Sequence, residues 1–212
     1  MSQNYPYNNN SGSFKVPLYC KHQTQMSYFE ENLLPLIFSI KPKKTESHIL
    51  GSLGLEDRVS SQSILIAFGE RIEQFWNIVI SDSLVAQNLI EESNLIDVNG
   101  RTRQIDHLFR LLCETWYLES KCNLNFDSEK VRASNDKIND ITSVLGVNVK
   151  SGYFVPVVAE INKSEKTKYN NKGMEVYGVN WMVNTIQAPF TSEEYFTFLR
   201  QVVAPILEEM GL

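Results

Sequence analysis

The chain has 212 residues, of which 42% are hydrophobic and 21% charged, and its formal net charge is −5. This length suits one domain with a genuine core, and the charges are too few and too interspersed for a disordered chain. The negative balance argues against an indiscriminate nucleic-acid binder, and the longest apolar run, Leu33 to Ile40, is interrupted by Pro35 and too short to cross a membrane.

Residues 1–13, MSQNYPYNNNSGS, read as a disordered tail, and residues 14–212 as a single domain with a core of about 60–186. The tail lacks the basic and apolar regions of a secretory signal, so a cytoplasmic location is expected. Tyr28 to Ile40 has apolar residues at helical spacing, is expected to bend at Pro35, and ends at Lys41-Pro42-Lys43-Lys44. A loop with two glycines leads to a long helix, Ser60 to Ser81, striped by Ile64, Phe68, Ile72, Phe75, Trp76 and Val79. Beyond Asn94 the period changes. Asn99-Gly100, set between Leu95-Ile96-Asp97-Val98 and Arg101 to Leu111, is a strong hairpin signal. Thr115 to Leu124 reads as a strand, with Trp116, Leu118 and Ser120 alternating against Tyr117, Glu119 and Lys121.

Asp127 or Ser128 is placed to cap a helix running to about Leu145 and stopped by Gly146. Strands are expected at Gly152 to Ile161 and Glu175 to Ile186, joined by a polar loop from Asn162 to Gly173. An amphipathic helix, Ser192 to Met210, closes the chain, and no internal repeat is present. The fold class is therefore α/β, a mixed central β-sheet flanked by helices.

Cys20, Cys113 and Cys122 are odd in number and widely spaced, and the three histidines are scattered, so a zinc site is not expected. Lysines and arginines gather at Lys41 to Lys44, at Arg101 and Arg103, at Lys121, Lys130 and Arg132, and at Lys163 to Lys172, where each group alone also reads as solvated surface.

The chemistry concentrates in Gln104-Ile105-Asp106-His107 and in Leu118-Glu119-Ser120-Lys121. Residues i and i+2 of a strand share a face, so Glu119 and Lys121 project together, and Asp106 reaches them if the two strands pair. Phosphodiester hydrolysis needs relief of the repulsion between an anionic phosphate and hydroxide, which a hard divalent cation provides. Mg²⁺ takes few carboxylates and keeps several waters. Asp106 and Glu119 would supply two ligands and the Ser120 carbonyl a third, while Lys121 orients the attacking water and offsets growing charge. Glu119-Ser120-Lys121 is the one Asp/Glu-x-Lys triplet in the chain. The competing reading is a surface strand with ordinary charges or a cross-strand ion pair. His107, next to Asp106, is expected to point to the opposite face and to be packed or exposed rather than catalytic.

Ile105-Asp106 followed by Leu118-Glu119-Ser120-Lys121 resembles the PD-(D/E)XK nuclease superfamily, and most of all its type II restriction endonucleases. The run Cys122-Asn123-Leu124-Asn125-Phe126-Asp127-Ser128-Glu129-Lys130 adds to the likeness, which extends over about Ser60 to Ile186; Ile105 stands where the family often has proline. The resemblance implies a restriction-endonuclease-like core with Asp106, Glu119 and Lys121 as catalytic residues. It implies a further acid on the preceding helix, where Glu73, four residues after Gly69, fits better than Glu70. Asn123, Lys130 and Arg132 become candidate DNA contacts. The loop from Asn162 to Gly173 carries further DNA-pairing residue types. The implied protein is a prokaryotic, cytoplasmic, Mg²⁺-dependent enzyme that cuts both strands of duplex DNA at a short, symmetric sequence as a homodimer. A junction resolvase of the same fold and a non-enzymatic DNA-binding domain remain as alternatives.

Overall fold

The computed structural model describes residues 26–41, 61–90, 94–122, 128–146, 148–170 and 173–212. Residues 26–32 are helical, Leu33 is a turn residue, and α1 (Leu34–Phe38) resumes with Pro35 in its first turn, where a missing N–H costs nothing. The apolar stripe of α2 (Ser61–Ser81) buries Ile64, Ile72, Phe75, Trp76, Val79 and Ile80.

Five strands form a central sheet in the order β1-β4-β5-β6-β7: β1 (Ala86–Asn88), β4 (His107–Leu111), β5 (Glu114–Ser120), β6 (Val149–Val155) and β7 (Glu175–Gly178). The β1–β4 and β4–β5 pairs are antiparallel, and β5–β6 and β6–β7 are parallel. Parallel neighbours need long crossovers. These are α3 (Ser128–Leu145) between β5 and β6, and α4 (Lys163–Asn170) between β6 and β7.

Strand alternation sorts the core into two layers. Phe109, Leu118 and Phe154 join α1, α2 and the C-terminal helices on one face. Leu108, Tyr117, Tyr153, Val155 and Val176 join Ile138 and Ile141 of α3 and Tyr169 of α4 on the other. The architecture is the expected mixed sheet flanked by helices, consistent with a restriction-endonuclease-like core. No helix among the described residues is long and apolar enough to cross a membrane.

Several boundaries differ from expectation, each for a local reason. Asn99 and Gly100 have φ of 53° and 76°, the left-handed pair a tight hairpin turn requires. That hairpin, β2 (Leu95–Val98) with β3 (Arg101–Gln104), is a separate two-stranded sheet. The run to Leu111 breaks at Ile105-Asp106, where the chain finishes the hairpin ladder and crosses to the central sheet. Ile105 N–H donates to the Asn94 carbonyl at 2.7 Å, and the Asp106 carbonyl accepts from Asn77 Nδ2 at 2.9 Å. β6 ends at Val155 rather than Ile161, since Pro156 cannot donate to a ladder.

The expected loop from Asn162 holds α4, capped where Asn162 Oδ1 accepts the Glu165 N–H at 2.9 Å. The expected strand Glu175 to Ile186 ends at Gly178 and continues as α5 (Val179–Ile186). The 158–159 segment satisfies the first free amides of α5, with Val179 N–H on the Val158 carbonyl and Asn180 N–H on the Ala159 carbonyl, at 2.9 and 3.0 Å. A Cβ on Gly178 would fall 2.6 Å from the Ala159 carbonyl oxygen, so this close approach needs glycine. The C-terminal helix is α6 (Ser192–Phe198), a π-helical turn (Leu199–Val203) and α7 (Ala204–Glu209), the irregularity lying just before Pro205, which cannot donate to the helical ladder.

Candidate active site

The site forms where β5 stops and β4 begins. The β4–β5 register pairs His107 with Leu118, so Asp106 and Glu119 stand opposite each other one step further. Asp106 lies in the bend before β4 rather than within a strand, and α2 fixes that bend through Asn77. The Asn77 side chain donates to the Asp106 carbonyl, and its Oδ1 lies 2.7 Å from His107 Nδ1. Glu119 shares the α3-facing side of β5 with Tyr117, whose hydroxyl donates to Glu119 Oε2 at 2.7 Å.

Both carboxylates are deeply buried, Asp106 at 6% exposure and Glu119 at 2%, so each oxygen needs a partner. Asp106 Oδ2 accepts the Ser120 N–H at 2.8 Å. Lys121 lies just past the strand end, its N–H continuing the ladder to the Phe154 carbonyl, and its ammonium donates to Glu119 Oε1 at 2.7 Å. The remaining partner was not foreseen. Lys137 of α3 places its Nζ 2.9 Å from Asp106 Oδ1 and 2.5 Å from Glu119 Oε2, bridging the two acids.

Burial works against ionisation of Glu119, but Lys137 and Lys121 outweigh it and hold its carboxyl below the usual range. For Asp106, burial and the charge of Glu119 prevail over Lys137, and its carboxyl sits above the usual range. The Lys137 ammonium is destabilised by burial but held charged by Asp106 and Glu119.

The residues surround an open cleft of about 840 Å³, with Glu73 and Gly69 of α2 on one wall and Asp106, Glu119, Lys121 and Lys137 on the other. Gln104 at the end of β3 also lines it, and Arg103 ties that hairpin to α3 through Asp140 at 2.5 Å. Glu70 lines the cleft too but is exposed, whereas Glu73 is partly buried and interacts with Asp106 and Glu119.

Burial, and after it the charge of Asp106, pushes Glu73 up to about 8 from 4.5. The folded protein therefore holds this proton more tightly than the unfolded chain, and stability declines as pH rises between those two values. In the absence of divalent metal, urea unfolding at stepped pH is expected to show stability falling by roughly 2 kcal/mol between pH 5 and 8, after allowance for solvent screening. The Glu73→Gln protein is expected to give a shallower decline; parallel curves would remove Glu73 as its source.

His107 is fully buried on the face away from the acids, packed edge-on to Phe154 at 5.7 Å. Burial lowers it to about 3, so it stays neutral. Arg132 is exposed on α3 and does not line the cleft. Asn123, Asp127, Cys20, residues 1–13 and the side chains of Ser128 and Lys130 lie outside the described residues. Cys113 and Cys122 are free thiols.

Among the described residues, no three His, Cys, Asp or Glu side chains cluster around one point. The Asp106–Glu119 pair nevertheless fits Mg²⁺: both donors are hard oxygens, and one cation, the Lys137 ammonium, already reaches both. Two carboxylates with waters completing the shell is an ordinary Mg²⁺ arrangement.

No protein-family model and no curated protein matches the chain. Solved structures similar to it include protein VC1899 from Vibrio cholerae, at 10% identity and a TM-score of 0.39, covering 82% of this chain and 56% of that one. Another is Can2 from Sulfobacillus thermosulfidooxidans in complex with cyclic tetra-adenylate, at 13% identity and a TM-score of 0.39, covering 91% of this chain and 57% of that one. The chain thus spans little more than half the length of either. At this degree of similarity, function has to be read from the cleft itself.

Proposed function

We propose that the protein is a Mg²⁺-dependent DNA endonuclease of the type II restriction class, cutting both strands of duplex DNA at a short symmetric sequence. The observation that carries this reading is the meeting of Asp106 and Glu119 at one end of the sheet, with Lys121 on Glu119 and an open cleft in front. The sequence resemblance to PD-(D/E)XK nucleases rests on the same three residues.

In this reading Asp106, Glu119 and the Ser120 carbonyl hold the metal. When bound, Mg²⁺ would supply charge neutralisation at the phosphate and make a coordinated water easier to deprotonate for attack. Lys121 positions that water from the Glu119 side and offsets negative charge as it develops. Glu73, whose proton is held to about pH 8, is a group in the cleft able to keep or release a proton near neutrality. The buried flank, with Tyr117 on Glu119 and Ser120 N–H on Asp106, fixes the carboxylates so that little reorganisation is needed. Asn123, Lys130 and Arg132 are proposed DNA contacts. A symmetric target implies a two-fold homodimer in a prokaryotic cytoplasm.

Incubation with plasmid DNA tests the proposal. Discrete fragments are expected with Mg²⁺ and none with chelator present. Intact DNA under all divalent-metal conditions would overturn it, and cutting confined to branched junctions would move the assignment to a resolvase.

A further inference from the structure

Resting on the metal-dependent reading above, we propose that Lys137 is the resident counter-ion of the site. A divalent cation reaches Asp106 and Glu119 together only when the Lys137 ammonium leaves them.

The inference comes from how the four carboxylate oxygens are shared. Asp106 Oδ2 is held by the Ser120 amide, and Glu119 Oε1 by Lys121. Asp106 Oδ1 and Glu119 Oε2 are joined by a single group, the Lys137 Nζ, at 2.9 and 2.5 Å, while Oε2 also accepts the Tyr117 hydroxyl, which reaches no other acid oxygen of the pair. That is the position from which one cation serves both acids. Lys121 touches one acid alone, so its removal would not open a shared position.

Electrostatics calls for such an occupant. Two carboxylates at 6% and 2% exposure, with Lys121 as their sole counter-charge, would leave one buried negative charge uncompensated. Lys137 supplies the missing charge from a neighbouring element. Its four-carbon stem lines the open cleft, with the side chain 18% exposed. Once displaced, the ammonium stays in the same cleft, where it adds positive charge along the approach of an anionic substrate.

Calcium binding to the full chain, read by calorimetry, and thermal unfolding in chelator and in saturating Ca²⁺ test the assignment together. The Lys137→Met protein is expected to bind Ca²⁺ about tenfold more tightly than the parent, because no internal cation competes. It is expected to melt below the parent in chelator and to close that gap in Ca²⁺. Equal or weaker Ca²⁺ affinity in Lys137→Met would overturn the counter-ion role while leaving the metal site standing. A parent that takes up no divalent cation would overturn both readings. Should Lys137→Met fail to fold, Lys137→Arg decides: a guanidinium grips two carboxylates more firmly. Its Ca²⁺ affinity should then fall several-fold, and parental affinity would reject the proposal.

Discussion

Asp106→Asn and Glu119→Gln are each expected to lower the rate of duplex cleavage by about a thousandfold or more, with Lys121→Met close behind. The carboxylate-to-amide substitutions keep side-chain size while removing the charge and turning one acceptor oxygen into a donor, so the loss reads the site's chemistry rather than a cavity. Glu119 is the more severe case. It is the residue on which Tyr117, Lys121 and Lys137 all converge, and its neutral amide would take from Lys121 its acid partner in this site and leave Lys137 with Asp106 alone. Removing one member of a buried ionic group also destabilises the fold, typically by about 3–5 kcal/mol. The rates should therefore be compared at low temperature, after circular dichroism has shown each variant folded. Parental cleavage by folded Asp106→Asn protein would place the chemistry elsewhere.

An equally large effect on stability is expected from Trp76→Ala, at about 3–5 kcal/mol in denaturant unfolding. Trp76 is fully buried on α2, edge-on to Phe154 of β6 at 5.1 Å and to Tyr195 of α6 at 5.3 Å. It therefore joins three elements distant in sequence. Its indole N–H also donates to the Tyr195 hydroxyl at 3.4 Å, so truncation opens a cavity and strips a buried hydroxyl of a partner. A cost under 1 kcal/mol would mean that the helices relax into the space and that this layer is less tightly packed than the ring geometry implies.

Where one residue pattern dominated, the sequence was legible. The 3.6-residue stripe of α2 and the Asn99-Gly100 turn each had a single interpretation. Glu119-Ser120-Lys121 carried two readings, a catalytic pair or ordinary strand charges, and its two charged ends do meet, although Lys121 lies just past the end of β5. Val179 to Ile186 was harder: Val179, Met182, Val183 and Ile186 have helical spacing, yet they follow β-branched and aromatic residues of β7 without a break. A cap did mark α4, since Asn162 precedes Glu165 by three positions, but its single buried side chain, Tyr169, gives no stripe. Lys137 had no local signature at all. It sits in the polar run Asn135-Asp136-Lys137, and its meeting with Asp106, 31 residues away, exists only once α3 packs across the sheet. Asp106 itself was placed by a strand that does not form there. The hairpin's separation into its own sheet leaves the residue in a bend, yet still opposite Glu119.

The two edges of the central sheet are short, three residues in β1 and four in β7. Open strand edges are where copies of a chain stitch together, and brief ones offer few unpaired amides to a neighbour. Edges this brief give other chains little to extend. For the proposed homodimer the same brevity favours a two-fold axis between helical or loop surfaces, with each five-stranded sheet ending within its own subunit.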